Sequence, residues 1–190
     1  MRRGMDAVVW VLGAATVLGA LHAVPPFLQH VCGRPRIWRE PTDMVRPDRV
    51  HCLVVHIRNG AIRSRLLRML RVRRLPAEHV STKVEVREEG TGRLLAASTS
   101  NLCRGQESLA RLPSGAIGLV IISWGSGGGR AHVCDDVHGR AKRALSAGRY
   151  VAHVVVDWEE GRIEITRPFD VSCAAPSLRW VDTDAGGLHG

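Results

Sequence analysis

Residues 145–171 read LSAGRYVAHVVVDWEEGRIEITRPFDV, and this stretch predicts two β-strands joined by a tight turn. Apolar residues occupy every second position from Tyr150 to Trp158, as expected for a strand with one face in a core. The turn is predicted at 159–162 (EEGR), where the glycine can adopt the backbone angles of a hairpin. The alternation resumes at Ile163. This hairpin is the clearest indication in the chain of an all-β fold.

Other segments with the two-residue period of a strand surround this hairpin. The run 81–88 (STKVEVRE) turns through EGTG at 89–92 into a second strand, and 117–124 is apolar on both faces, as in a central buried strand. Short strands at regular spacing, with turn signals between them, predict an all-β sandwich. About seven strands are expected, near 50–58, 81–88, 93–98, 107–112, 117–124, 149–158 and 162–172.

Three segments between residues 50 and 172 resemble bacterial and archaeal immunoglobulin-like modules of the fibronectin type III or cell-adhesion-related kind. They are VVHIRN at 54–59, VEVREEGTGRLL at 84–95, and the L-x-x-G-x-Y pattern of Leu145, Gly148 and Tyr150. The last is similar to a tyrosine corner, in which the hydroxyl bonds back to nearby backbone. The resemblance implies an immunoglobulin-like β-sandwich over 50–172 that acts as a binding or spacer domain.

An uncharged segment at 7–29, AVVWVLGAATVLGALHAVPPFLQ, is long enough to cross a bilayer as a helix. It follows a short tail, 1–6, that carries Arg2 and Arg3. No suitable pair of small residues marks a signal-peptidase cut, so we expect a single-pass transmembrane anchor rather than a cleaved signal peptide. The orientation stays open, because the arginines after the segment favour a cytoplasmic domain whereas the signal-like start favours the opposite side.

Two further segments lie outside the predicted sandwich. Prolines at 35, 41 and 47 predict an extended linker over 30–49. Within it, Ile37-Trp38 could dock as a short strand. Residues 173–190 have no hydrophobic period and predict a flexible C-terminal tail.

The segment 61–80 is the only concentrated basic patch in a chain of net charge +9. It reads as a helix with one apolar face, inserted between the first two clear strands. The helix could lie on anionic headgroups, or the segment could be a solvated insertion that caps the sandwich. The arginines that would make the anionic contact are Arg63, Arg65, Arg68, Arg71, Arg73 and Arg74.

The densest set of candidate metal ligands is His132, Cys134, Asp135 and His138, and zinc accepts such a set. Their spacing matches no established site, so the alternative is a polar connecting loop. The 5 cysteines include no C-x-x-C pair, which excludes a zinc ribbon and a small disulfide scaffold. No cofactor is expected.

Together these features predict a single-pass, membrane-anchored, non-enzymatic immunoglobulin-like domain that contacts a protein partner or braces a membrane complex. No residue set supports acid–base or nucleophilic catalysis. The alternative function is binding of anionic lipid or nucleic acid through the arginine-rich segment 63–74.

Overall fold

The computed structural model describes residues 24, 26–45, 50–100, 102–104, 107–126, 130–134, 142–172 and 178–181. Twelve strands and one short helix, Arg65–Met69, are delimited within these residues, and residues 26–32 are also helical. The strands are β1 (Ile37–Val45), β2 (Val50–Asn59), β3 (Ser81–Glu88), β4 (Leu94–Ser100), β5 (Leu102–Arg104), β6 (Glu107–Leu109), β7 (Ile117–Ser126), β8 (Arg130–Cys134), β9 (Lys142–Leu145), β10 (Gly148–Trp158), β11 (Gly161–Val171) and β12 (Leu178–Trp180).

The strands form two antiparallel sheets, so the predicted all-β class is confirmed. The first sheet has the order β1-β2-β7-β5-β6, with β8 paired to β7 and β9 paired to β8. The second sheet has the order β12-β11-β10-β3-β4. The decisive hairpin is β10–β11, in which Trp158 pairs with Gly161 across a two-residue turn and Gly148 pairs with Val171.

One hydrophobic core joins residues from both sheets. Strand β2 contributes Leu53, Val55 and Ile57, all fully buried. The second sheet contributes the alternating residues of β10 that the sequence assigned to the inner face, together with Phe169 of β11. A regular two-residue period on facing strands therefore builds a single core between the sheets.

Strand β1 lies within the segment that the sequence predicted as an extended linker. It pairs with β2 over its whole length, from Ile37 opposite Asn59 to Val45 opposite His51. Pro41 argued against a strand, but β1 is at the edge of its sheet, where a residue without an N–H is tolerated. The chain thus enters the sandwich at Ile37, earlier than the predicted boundary at residue 50.

The segment predicted as a flexible tail contains β12. Leu178 and Trp180 are buried, and Trp180 packs edge-on against Phe169 at 6.0 Å between ring centroids. The indole Nε1 of Trp180 donates to the carbonyl of Thr42 in β1 at 3.2 Å, which connects the two sheets. A three-residue strand is too short to show a period, so the prediction missed it.

Two short strands that the sequence did not predict lie between β7 and β10, at 130–134 and 142–145. They are β8 and β9, which pair with each other in the first sheet. The described residues therefore form twelve strands rather than about seven. The five additional strands are β1, β5, β8, β9 and β12. The sequence predicted a linker at strand β1 because of its proline, and the other four have 3 to 5 residues, too few for a clear alternation.

Most of the candidate membrane segment 7–29 lies outside the described residues. In the part of the chain that the structure describes, no helix is long and apolar enough to cross a membrane.

Candidate functional site

The basic insertion 61–80 folds into much less helix than the sequence predicted. Ser64 caps the helix Arg65–Met69, since its hydroxyl accepts from the N–H of Leu67 at 3.4 Å. The helix ends at once because Arg71 has a φ of 58°, in the left-handed region. The bonds from Val72 N to Leu67 O and from Arg71 N to Arg68 O form a Schellman motif around that residue.

The end of this insertion is bonded to the segment that follows the apolar run. The side-chain amide of Gln29 donates to the carbonyl of Arg73 at 2.7 Å and accepts from its N–H at 2.8 Å. The N–H of Leu75 donates to the carbonyl of Gly33 at 2.6 Å. We call the bonds between residues 29–34 and 73–75 the linking contact.

Arg74 makes the charged part of the linking contact. Its Nη1 donates to the carbonyls of Cys32 and Arg34, both at 2.7 Å, and its Nε donates to the carbonyl of Gly60 at 3.0 Å. Burial, and then the nearby charge of Arg36, lower the pKa of Arg74 below its usual value. Among the described residues no carboxylate pairs with it, and three backbone carbonyls accept its hydrogen bonds.

Asn59 holds the same region from inside the fold. Its side chain is fully buried, and its Oδ1 accepts from the N–H of Arg36 at 3.2 Å. Its Nδ2 donates to the carbonyls of Leu75 at 2.8 Å and Leu112 at 3.1 Å. No pattern in the sequence indicated this role, because the three partners lie 16, 23 and 53 residues away along the chain.

An arginine-lined cavity of about 780 Å³ opens beside these contacts. Its wall includes the indole of Trp38, which lies so close to Gly60 that a Cβ there would approach Nε1 to 2.8 Å. The guanidinium of Arg36 lies 5.0 Å from the centre of the Trp38 ring. The charged side chains of the lining are Arg36, Arg39, Glu40, Arg58, Arg63 and Arg74.

The six arginines of the predicted anionic contact therefore divide into three roles. Arg63 is exposed and lines the cavity, and the half-buried Arg74 lines it while also making the linking contact. The other four have exposed side chains: Arg65, Arg68, Arg71 and Arg73. Sequence reasoning missed Arg36, Arg39 and Arg58, because β1 and the end of β2 come together with the insertion only in the fold.

Exposed apolar side chains occur on the two segments that the linking contact joins. Met69 is 74% exposed, and Phe27 and Leu66 are each 65% exposed. We call the exposed residues of 24–31 and 65–75 the basic end surface. Its apolar members are Val24, Phe27, Val31, Leu66, Met69, Leu70 and Leu75.

Only two of the four candidate metal ligands fall within the described residues. His132 and Cys134 lie on β8, and the His132 ring stacks on Trp124 with centroids 6.2 Å apart. Asp135 and His138 lie outside the described residues. Among the described residues, no group of three His, Cys, Asp or Glu side chains could hold a metal ion.

The pattern of Leu145, Gly148 and Tyr150 spans the end of β9 and the start of β10. The Tyr150 hydroxyl donates to the carbonyl of Ser146 at 2.8 Å, a bond back to nearby backbone of the kind expected from the motif. Its ring stacks on Phe169 at 5.6 Å.

Comparisons with protein-family models, with curated proteins and with solved structures find no match for this chain. Its function is therefore inferred from the contacts of its own residues.

Proposed function

We propose that this chain is a single-pass, membrane-anchored, non-enzymatic module with an immunoglobulin-like β-sandwich, and that its basic end surface rests on anionic lipid headgroups. The observation that carries the proposal is the linking contact. Gln29 ends the apolar run 7–29 and is itself bonded to Arg73.

If residues 7–29 cross the bilayer, Gln29 leaves it near the headgroups. The bonds from Arg73, Arg74 and Leu75 to residues 29–34 then hold the insertion at that level. Arginines beside an anionic surface each contribute about 1 kcal/mol of attraction.

The side chains of the basic end surface suit this position. Exposed Leu66 and Met69 alternate with exposed arginines, and apolar side chains among basic ones are typical of segments that lie in the interface. Nucleic acid is the weaker ligand, since Leu66 and Met69 would gain nothing from contact with phosphates. In this arrangement the sandwich would be the rigid part that contacts a protein partner or braces a membrane complex.

Limited trypsin digestion of the full chain in vesicles tests the proposal, after carbonate washing has shown whether the chain stays in the membrane. We expect retention, and slow cleavage at 65–73 in vesicles that contain phosphatidylglycerol but not in pure phosphatidylcholine. A triple variant with Arg65→Gln, Arg68→Gln and Arg71→Gln keeps one cleavage site in 65–73, at Arg73. In this variant, Arg73 should be cleaved at the same rate in both kinds of vesicle.

The matched control carries Arg87→Gln, Arg93→Gln and Arg162→Gln, which remove the same charge from exposed positions around the second sheet. It should keep the lipid-dependent protection. Release of the chain by carbonate, or equal cleavage in both kinds of vesicle, would contradict the proposal.

A further inference from the structure

The arginine-lined cavity has a charge that the described residues do not balance. Five arginines and one glutamate, Glu40, contribute to its wall. Arg39 donates to the carbonyl of Glu164, and Arg74 donates to three carbonyls, so both are held by backbone. Among the described residues, no carboxylate lies within ion-pairing distance of the other three: Arg36, Arg58 and Arg63.

Two of the arginines in the wall, Arg36 and Arg74, also lie close enough for their charges to interact. Burial lowers the pKa of Arg74, and the charge of the exposed Arg36 lowers it further, which means that the two cations repel each other. An anion between them would relieve this repulsion. Guanidinium groups bind the oxygens of phosphate through paired N–H donors, and several such groups favour a doubly charged anion.

The volume of the cavity and its apolar lining residues indicate a ligand larger than an inorganic ion. The cavity of about 780 Å³ lies within the roughly 300–1,000 Å³ typical of small-molecule sites. Trp38, Ile62 and Ile117 give it an apolar side beside the arginines. A phosphate on an apolar or aromatic body would satisfy both parts of this wall.

We infer that this cavity binds a phosphate monoester carried on an apolar body, with Arg36, Arg58 and Arg63 contacting the phosphate and Trp38 contacting the body. The inference stands independently of the membrane position proposed above. The same chemistry is found in the headgroup of phosphatidic acid and in soluble organic phosphates.

The test is calorimetric titration of the full chain, held in phosphatidylcholine nanodiscs, with phenyl phosphate. We expect saturable binding that is tighter than that of inorganic phosphate. Each of Arg58→Gln and Arg63→Gln should weaken it about tenfold or more, as expected for loss of a charge-assisted hydrogen bond. Arg87→Gln, which removes an exposed arginine from β3, should leave it unchanged.

The source of the phosphate is found by adding phosphatidic acid to the nanodiscs. Loss of phenyl phosphate binding there identifies the lipid headgroup as the occupant, and unchanged binding identifies a soluble organic phosphate.

No binding of phenyl phosphate, or equal binding by the Arg58→Gln/Arg63→Gln double variant with an unchanged circular dichroism spectrum, would overturn the inference. Arg63→Gln alone, outside every strand, carries the test if the double variant does not fold.

The variants separate this inference from the proposed function. Arg65, Arg68 and Arg71 do not line the cavity, so the triple variant of the basic end surface should still bind phenyl phosphate. The Arg58→Gln/Arg63→Gln variant should keep the trypsin protection by phosphatidylglycerol.

Discussion

The guanidinium of Arg74 donates to the backbone carbonyl of Cys32 at 2.7 Å. This bond joins two parts of the chain that the sequence places 42 residues apart. One follows the apolar run 7–29, and the other ends the arginine-rich insertion. The relationship gives the basic end surface a fixed position relative to the start of the sandwich.

Replacing Arg74 by glutamine should loosen the linking contact without unfolding the sandwich. Hydrogen bonds from a charged donor contribute about 1.5–3 kcal/mol, so amide exchange of residues 26–34 should become at least tenfold faster. Hydrogen exchange with mass spectrometry measures this. Arg68→Gln, at an exposed helical position, is the control, and exchange as slow as in the parent chain would show that Arg74 does not hold the segment.

Gly33→Ala should have a similar local effect for a steric reason. A Cβ at this position would approach the carbonyl oxygens of Gln29 to 2.2 Å and of Arg73 to 2.9 Å. The helical turn and the insertion must therefore separate, and residues 26–34 should again exchange faster. Gly90→Ala is the matched control, because a Cβ there meets no atom within 4 Å. Equal exchange in the two variants would count against the contact.

Asn59→Asp should lower the free energy of unfolding by about 2–4 kcal/mol, since it leaves buried carbonyls without donors and introduces a buried charge. The amide nitrogen of Asn59 now donates to Leu75 and Leu112, and a carboxylate oxygen there would repel both carbonyls. Urea unfolding followed by circular dichroism measures the change. Ser114→Ala, in an exposed turn, should be neutral. An unfolding midpoint like that of the parent chain would refute this role of Asn59.

Trp180→Ala should destabilise the fold by about 3–5 kcal/mol, as for other large buried aromatic residues. The variant loses the edge contact with Phe169 and the bond to Thr42 that connects the sheets. Trp38→Ala is the matched control, because Trp38 is 55% exposed and should cost far less. Thermal unfolding measures the loss of stability in both variants. Similar unfolding midpoints for the two would mean that β12 does not contribute to the core.

Glu85→Gln should reduce stability by roughly 0.5–1 kcal/mol near neutral pH. Hydrogen bonds from Lys83, and then from Arg87, lower the pKa of Glu85 below its ordinary 4.5. The stabilisation is therefore present above pH 4.5 and is lost as the pH falls through the lowered pKa. The urea midpoints of the parent chain and the variant should converge at a pH below the lowered pKa of Glu85. A difference in midpoint that stays constant at all pH values would show that the stabilisation does not come from the charge of Glu85.

The parts of the fold with a long, regular period were accessible from the sequence. Strands β10 and β11 each have 11 residues, and their alternation and turn residues determine the register locally. Strand β12 has 3 residues and is defined by what it packs on, chiefly Phe169. Its existence depends on tertiary contact, which no local pattern reports.

The candidate site also depends on tertiary contacts that the sequence pattern does not report. The sequence identified the arginines of 63–74 as a basic patch because they are adjacent along the chain. The cavity needs Arg36 from the entry to β1 and Arg58 from β2, which meet the insertion only in the fold, where Asn59 bonds to Leu75. The left-handed Arg71 shortens the helix, and no glycine or proline in the sequence marks that position.

Amide exchange of residues 65–75 in the full chain, reconstituted into vesicles, tests the central claim most directly. With phosphatidylglycerol present, these amides should exchange more slowly than in pure phosphatidylcholine, and high salt should remove the difference because it screens the arginines. Exchange that is identical in the two kinds of vesicle, with the sandwich intact, would contradict the placement of the basic end surface on the bilayer.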